Sequence, residues 1–112
     1  AEQIFEGDRP IELAPGFTAI PTPGHTRGHV VLLHDNRYLF TGDHLWWDRD
    51  DQRLGASRSY CWYSWPRQIE SMARLLDYSF EWVLPGHGQR VQLPAGEMRS
   101  QLAGLVERMR TA

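Results

Sequence analysis

One hairpin constrains this chain more than any other feature. His29-Val30-Val31-Leu32-Leu33-His34 and Tyr38-Leu39-Phe40-Thr41 flank Asp35-Asn36-Arg37. Asp and Asn tolerate the left-handed backbone that a tight turn requires. Both flanks are near-continuous apolar runs rather than strict alternations of apolar and polar residues. That is the pattern of strands covered on both faces. The hairpin therefore belongs inside a layered fold, with other structure packed on each side of its sheet.

The surrounding segments extend this pattern. Ile4-Phe5 and Ile11-Glu12-Leu13 read as short strands around the bend Gly7-Asp8-Arg9-Pro10, and Phe17-Thr18-Ala19-Ile20 as another, closed by Pro21-Thr22-Pro23-Gly24. Trp46 to Tyr63 shows no clean period and reads as a long loop, of a length that in compact domains usually carries function. Ser64 suits an N-cap and Pro66 a first turn, and Ile69, Met72, Ala73 and Leu76 recur at helical spacing. Phe80-Glu81-Trp82-Val83-Leu84 is a strand stopped by Pro85-Gly86. A last helix starts at Pro94 with the stripe Met98, Leu102, Leu105, Val106 and Met109, and Arg108 and Arg110 lie where cations favour the helix dipole. Strands and singly striped helices sharing one chain give an α+β fold with helices on one face of a sheet.

Size and charge bound the function. The 112 residues suit one domain, 1–112, which buries roughly two-thirds of its unfolded surface. The formal net charge is −2 and no dense Lys or Arg run occurs. Neither a nucleic acid nor a membrane is an expected partner. No apolar stretch approaches the roughly 20 residues that cross a bilayer, and no signal-peptide pattern opens the chain. Cys61 is the single cysteine, which excludes an internal disulfide and fits a cytoplasmic setting. The chain opens on Ala1-Glu2-Gln3-Ile4, already strand-like, and the expectation is that sequence precedes it.

The residues able to do chemistry gather beside glycine turns at strand ends: Pro23-Gly24-His25-Thr26, Thr41-Gly42-Asp43-His44 and Pro85-Gly86-His87-Gly88. Side chains there are held by the sheet yet face an open edge, and several such loops on one rim can aim at a common point. Imidazole nitrogen and carboxylate oxygen are suitable donors for zinc, iron or manganese. A carboxylate can also bridge two metals about 3.5–4 Å apart. Each piece has a plainer reading, since Pro-Gly-His and Gly-Asp are common surface turns. The ordered set of three, each following a strand, carries the signal.

Pro23-Gly24-His25-Thr26-Arg27-Gly28-His29, then Phe40-Thr41-Gly42-Asp43, then Leu84-Pro85-Gly86-His87-Gly88, resembles the later metal motifs of the metallo-β-lactamase superfamily. The resemblance runs from about Phe17 to Gly88. It implies one βα half of a four-layer αββα sandwich, with a mixed sheet and helices on one face. It implies that His25 binds a first metal, Asp43 bridges two metals and His87 binds the second, while His29 supports. The cofactors implied are two divalent ions, zinc first, with iron or manganese as alternatives. The superfamily's first motif, His-x-His-x-Asp-His, is absent from this chain. That motif supplies the remaining histidines and the acid that acts on the attacking water, so none of the three residues is a catalytic acid or base.

The resemblance implies metal-dependent hydrolysis, with a small ester or thioester as first choice of substrate once the fold is complete. Asp43 stands where the best-known zinc β-lactamases carry cysteine, which argues against antibiotic hydrolysis. Trp46, Trp47 and His44 follow the metal aspartate and are candidates to wall a substrate pocket, against the plainer expectation that the tryptophans pack under their loop and His44 is merely exposed. A competing reading makes the chain an inactive half-fold or interaction module that associates through its bare sheet face. The expected partner is the missing N-terminal half or a second copy of the chain. A third reading treats the histidines as unrelated turn residues of an α+β binding domain.

Overall fold

The computed structural model describes residues 9–24, 28–42, 45–56, 64–86 and 88–111. The expected strand at Ile4-Phe5 and the surroundings of Cys61 lie outside the described residues. Six strands form one mixed sheet: β1 (Ile11–Ala14), β2 (Phe17–Pro21), β3 (Val30–His34), β4 (Tyr38–Gly42), β7 (Trp82–Pro85) and β8 (Val91–Gln92), side by side in that order. Neighbours pair antiparallel except β4 and β7, which run parallel and are joined through helix α1 (Trp65–Arg74). A 3-10 turn, Leu75–Asp77, follows α1, and helix α2 (Ala95–Thr111) ends the fold.

The β3–β4 hairpin forms as its sequence requires. Asp35 and Asn36 both take positive φ, 54° and 52°, and Arg37 N donates to His34 O at 3.0 Å. The turn sets the register, pairing Leu33 with Leu39 and Leu32 with Phe40. Because side chains alternate across a strand, Ile20, Val31, Leu33, Leu39 and Val83 share one face. They join Met72, Leu75, Met98, Leu102, Leu105, Val106 and Met109 in a single buried cluster. Both helices thus cover that face. The opposite face carries Phe17, Leu32, Phe40 and Leu84, which are half-buried or exposed. At its far end a row of rings crosses four strands: Phe17 to His34 at 5.1 Å, His34 to Tyr38 at 6.0 Å and Tyr38 to Trp82 at 6.4 Å.

Three local expectations need correction. Trp46 to Gly55 is not an irregular loop but a second hairpin, β5 (Trp46–Asp48) with β6 (Arg53–Gly55). Each strand spans only three residues, too few to display a period. The hairpin is held from outside itself: Leu54 is wholly buried, its N–H donates to Gln101 Oε1 at 3.2 Å, and its carbonyl accepts from Arg108 Nη2 at 2.8 Å. Strand β7 starts at Trp82 rather than Phe80, which instead joins the helical core. On α1 the fully buried face is Gln68, Ser71, Met72 and then Leu75, while Ile69, Ala73 and Leu76 are only partly buried. The face is rotated because α1 packs against a polar run of backbone as well as against the core.

Candidate metal site at one rim of the sheet

Topology brings three strand ends to one rim. Pro21 at the end of β2 pairs with Val30 at the start of β3, and Gly42 at the end of β4 aligns with Pro85 at the end of β7. The loops that leave these ends contain His25, Asp43 and His87, and the residues flanking them are tied together. Gly86 N donates to Gly42 O at 2.8 Å, joining the loops after β4 and β7. Thr41 Oγ1 donates to Leu45 O at 2.6 Å. Thr22 N donates to His29 O at 2.8 Å. The Thr22 hydroxyl also lies 2.9 Å from His29 Nδ1. The other ring nitrogen of His29 is close to Gly42, since a Cβ placed there would meet Nε2 at 3.2 Å. His29 therefore links the loop after β2 to the loop after β4. His25, Asp43, His44 and His87 themselves lie outside the described residues. Among the described residues no group of three or more His, Cys, Asp or Glu could hold a metal ion.

Helix α1 holds the loop after β2 like a seam. Arg74 Nη1 donates to Pro21 O at 3.3 Å, Ser71 Oγ to Pro23 O at 2.7 Å, and Ser64 N to Gly24 O at 2.9 Å. Ser64 also caps the helix by accepting from Arg67 N at 3.3 Å. The approach is close enough that only glycine fits at Gly24. Its φ is +148°, and a Cβ there would lie 2.7 Å from Gln68 N and closer still to Gln68 Cα and Cβ. Gln68 is 2% exposed, and its side-chain carbonyl oxygen is enclosed without a hydrogen-bond donor among the described residues. A buried acceptor left in that state costs about 1–3 kcal/mol. The helical spacing of Ile69, Met72 and Ala73 gave no sign of Gln68 or Ser71; the available signal was that both fall on the same face as Ser64 at i+4 and i+7.

The β5–β6 hairpin borders the same rim. Trp47 N donates to Gln89 O at 2.9 Å, and a Cβ on Gly88 would meet Trp46 Cβ at 3.1 Å. Trp46 and Trp47 are both half-buried, and Trp47 packs against the core. With Arg49, Gln52 and Gln89 they line an open cavity of about 610 Å³ next to the loop that contains His87. Trp47 thus packs against the core while both tryptophans border this open space. Among the described residues no helix is long and apolar enough to cross a membrane.

No protein-family model matches the sequence. The chain is similar to a hydroxyacylglutathione hydrolase of Xanthomonas oryzae pv. oryzae, with 36% identity over 75 residues covering 67% of this chain and 26% of that protein. It is also similar to a β-lactamase-like protein 2 homolog of Drosophila melanogaster, with 30% identity over 79 residues covering 70% and 24%. The chain spans about a quarter of the length of the curated relatives it matches. Among solved structures it superposes on TMB-1 with a TM-score of 0.61 and 20% identity, covering 95% of this chain and 47% of that one. A metallo-β-lactamase family protein of Thermus thermophilus gives a TM-score of 0.59 at 20% identity, covering 95% and 34%. A metallo-β-lactamase of Hirschia baltica gives 0.53 at 23%, covering 92% and 45%. These likenesses establish the fold.

Proposed function

We propose, for a chain that has the metallo-β-lactamase fold over about half the length of such proteins, that it supplies one half of a two-metal hydrolase site. In this reading His25, Asp43 and His87 would hold the divalent ions. The observation that carries it is the meeting of three glycine turns at one rim, with the loops after β4 and β7 hydrogen-bonded between Gly42 and Gly86. The donor set fits zinc first, or iron or manganese. Bound metals would lower the pKa of a shared water toward about 7 and polarise the substrate's reacting oxygen. The chain's own contribution is positional. Gly42 and Gly86 would fix the spacing of the loops after β4 and β7, α1 that of the loop after β2, and His29 would brace the loop after β2 against the loop after β4.

A small ester or thioester is the substrate class the reading favours. One relative is a hydroxyacylglutathione hydrolase, and a hydroxyacylglutathione is a thioester. Trp46 and Trp47, with His44 as a further candidate, would wall the space beside the metals and hold the part of the substrate remote from the reacting carbonyl. The remaining ligands and the residue acting on water would come from the other half of the sandwich, either upstream sequence or a second copy, seated on the uncovered sheet face. That same face favours a second reading, in which the chain alone is an inactive module that associates through Phe17, Leu32, Phe40 and Leu84. Thioester hydrolysis that appears with added zinc, disappears with a chelator and is lost in Asp43→Asn is the expected result. Hydrolysis indifferent to metal and to Asp43 would overturn the metal reading. Metal-dependent turnover by the chain as a monomer would sink the half-site reading.

A further inference from the structure

A groove of about 350 Å³ runs between β6 and helix α2, lined by Arg53, Glu97, Ser100, Gln101, Gly104 and Arg108. Glu97, Gln101, Gly104 and Arg108 recur at helical spacing and share one face of α2. Helical side chains lean toward the N-terminus, and Arg108 follows the rule: a Cβ on Gly104 would lie 3.5 Å from Arg108 Nη1. The guanidinium thus lies level with Gly104, where the missing side chain leaves the groove open. Arg108 is half-buried, and its Nη2 donates to Leu54 O at 2.8 Å. A guanidinium carries several further N–H donors. Among the described residues its side chain makes no other hydrogen bond and no ion pair. Arg53 borders the same groove, with Asp51 at 3.3 Å. Burial first, and then the charge of Arg53, hold Arg108 below its ordinary value, and Asp51 offsets them only in part. Two like charges therefore face one groove without a full counter-charge. Neutral donors stand beside them. Gln101 turns its Oε1 to Leu54 N at 3.2 Å, which leaves its amide N–H groups free to donate, and the Ser100 hydroxyl is exposed. Glu97 precedes Gly104 by two turns, about 10 Å along the axis, and so belongs to the other end of the groove. We propose that the end of this groove at Gly104 binds a small oxyanion, a carboxylate or phosphoryl group, between the Arg108 and Arg53 guanidiniums, with Gln101 and Ser100 as further donors. The planar fork of arginine matches either group. None of these residues enters the metal reading given above.

The test is titration of the full chain with inorganic phosphate and, separately, with acetate, at constant ionic strength balanced by chloride. NMR reads the Arg108 Nε–H and the Gln101 side-chain amide. Saturable shifts of both groups are expected with at least one of the two anions. Tighter binding of phosphate assigns a phosphoryl ligand, and tighter binding of acetate a carboxylate. Gly104→Leu fills the groove at a helix position that favours leucine over glycine, and its Cβ meets only Arg108 Nη1 at an ordinary contact distance. It should fold and lose the saturable shifts. Arg53→Gln removes an exposed cation without touching the Arg108–Leu54 bond, and should weaken binding about two- to fivefold. Shifts that never saturate, or that chloride alone reproduces, overturn the proposal. Affinity unchanged in either variant does so too, and Arg53→Gln keeps the test decisive should Gly104→Leu not fold.

Discussion

Replacing Gly24 by alanine tests the seam where it is tightest. The new Cβ would sit 2.7 Å from Gln68 N and closer to Gln68 Cα and Cβ, so relief requires moving helix backbone rather than a flexible side-chain end. The helix is not free to retreat, because Ser64, Ser71 and Arg74 hold it to the carbonyls of Gly24, Pro23 and Pro21. Overpacking of this kind costs about 1–3 kcal/mol. A φ of +148° belongs to a region that side-chain-bearing residues rarely adopt. Holding alanine there costs a further ~1–3 kcal/mol. Together these make about 2–6 kcal/mol, a substantial part of the roughly 5–15 kcal/mol that stabilises a domain. Urea unfolding followed by tryptophan fluorescence reads this as a lower midpoint. Gly28→Ala is the control: nothing lies within 4 Å of its added methyl and its φ is outside that region, so its stability should match the wild type to within about 0.5 kcal/mol. If Gly24→Ala and Gly28→Ala unfold at the same urea concentration, the close approach of α1 is wrong.

Gln101→Leu leaves the wholly buried Leu54 N–H without its acceptor and should cost about 1–3 kcal/mol; Arg108→Met removes the donor to the same residue's carbonyl, and the two changes together should cost less than their sum in urea melts, since either one frees β6. Tyr78 titrates above its ordinary value because burial, helped by the Asp77 carboxylate and opposed by Arg74, disfavours the phenolate. Its contribution is therefore complete below the unfolded value of 10.0 and is lost as pH rises through the higher folded one. The melting temperature should fall as pH rises from 10.0 towards the folded value, and Tyr78→Phe should make the fall shallower. Phe40 is 40% exposed on the sheet face opposite the helices, so Phe40→Glu should leave the circular dichroism of the chain intact while abolishing any concentration-dependent association seen by sedimentation; unchanged association would exclude that face as the contact.

Local rules sufficed where one segment determines its own structure. The Asp35-Asn36 turn and the stripe from Met98 to Met109 needed nothing beyond left-handed tolerance and a period near 3.6. They failed where stability comes from elsewhere. Three-residue strands β5 and β6 exist because Leu54 is gripped by α2 and Trp47 by Gln89. Two-residue β8 exists because Trp82 and Val83 offer it partners. Gln68 and Ser71 are buried because the surface α1 meets is made of carbonyls, which apolar periodicity cannot register. Of the candidate site, the order of its three turns was legible, and the structure adds the ties between their flanks.

The two faces of the β3–β4 hairpin are accounted for differently. Val31, Leu33 and Leu39 are buried under α1 and α2, so the helices account for one half of its apolar residues. Leu32 and Phe40 point the other way, paired directly across the strands. A sheet with one face in water alternates apolar with polar residues; here Leu32, Phe40 and Leu84 stand where polar residues would. Water on that face gives no physical reason for this pattern, whereas a second layer does. The chain covers only about half the length of the structures whose fold it shares, which leaves room in such a fold for that layer, and the rim with the three glycine turns lies at one end of this sheet.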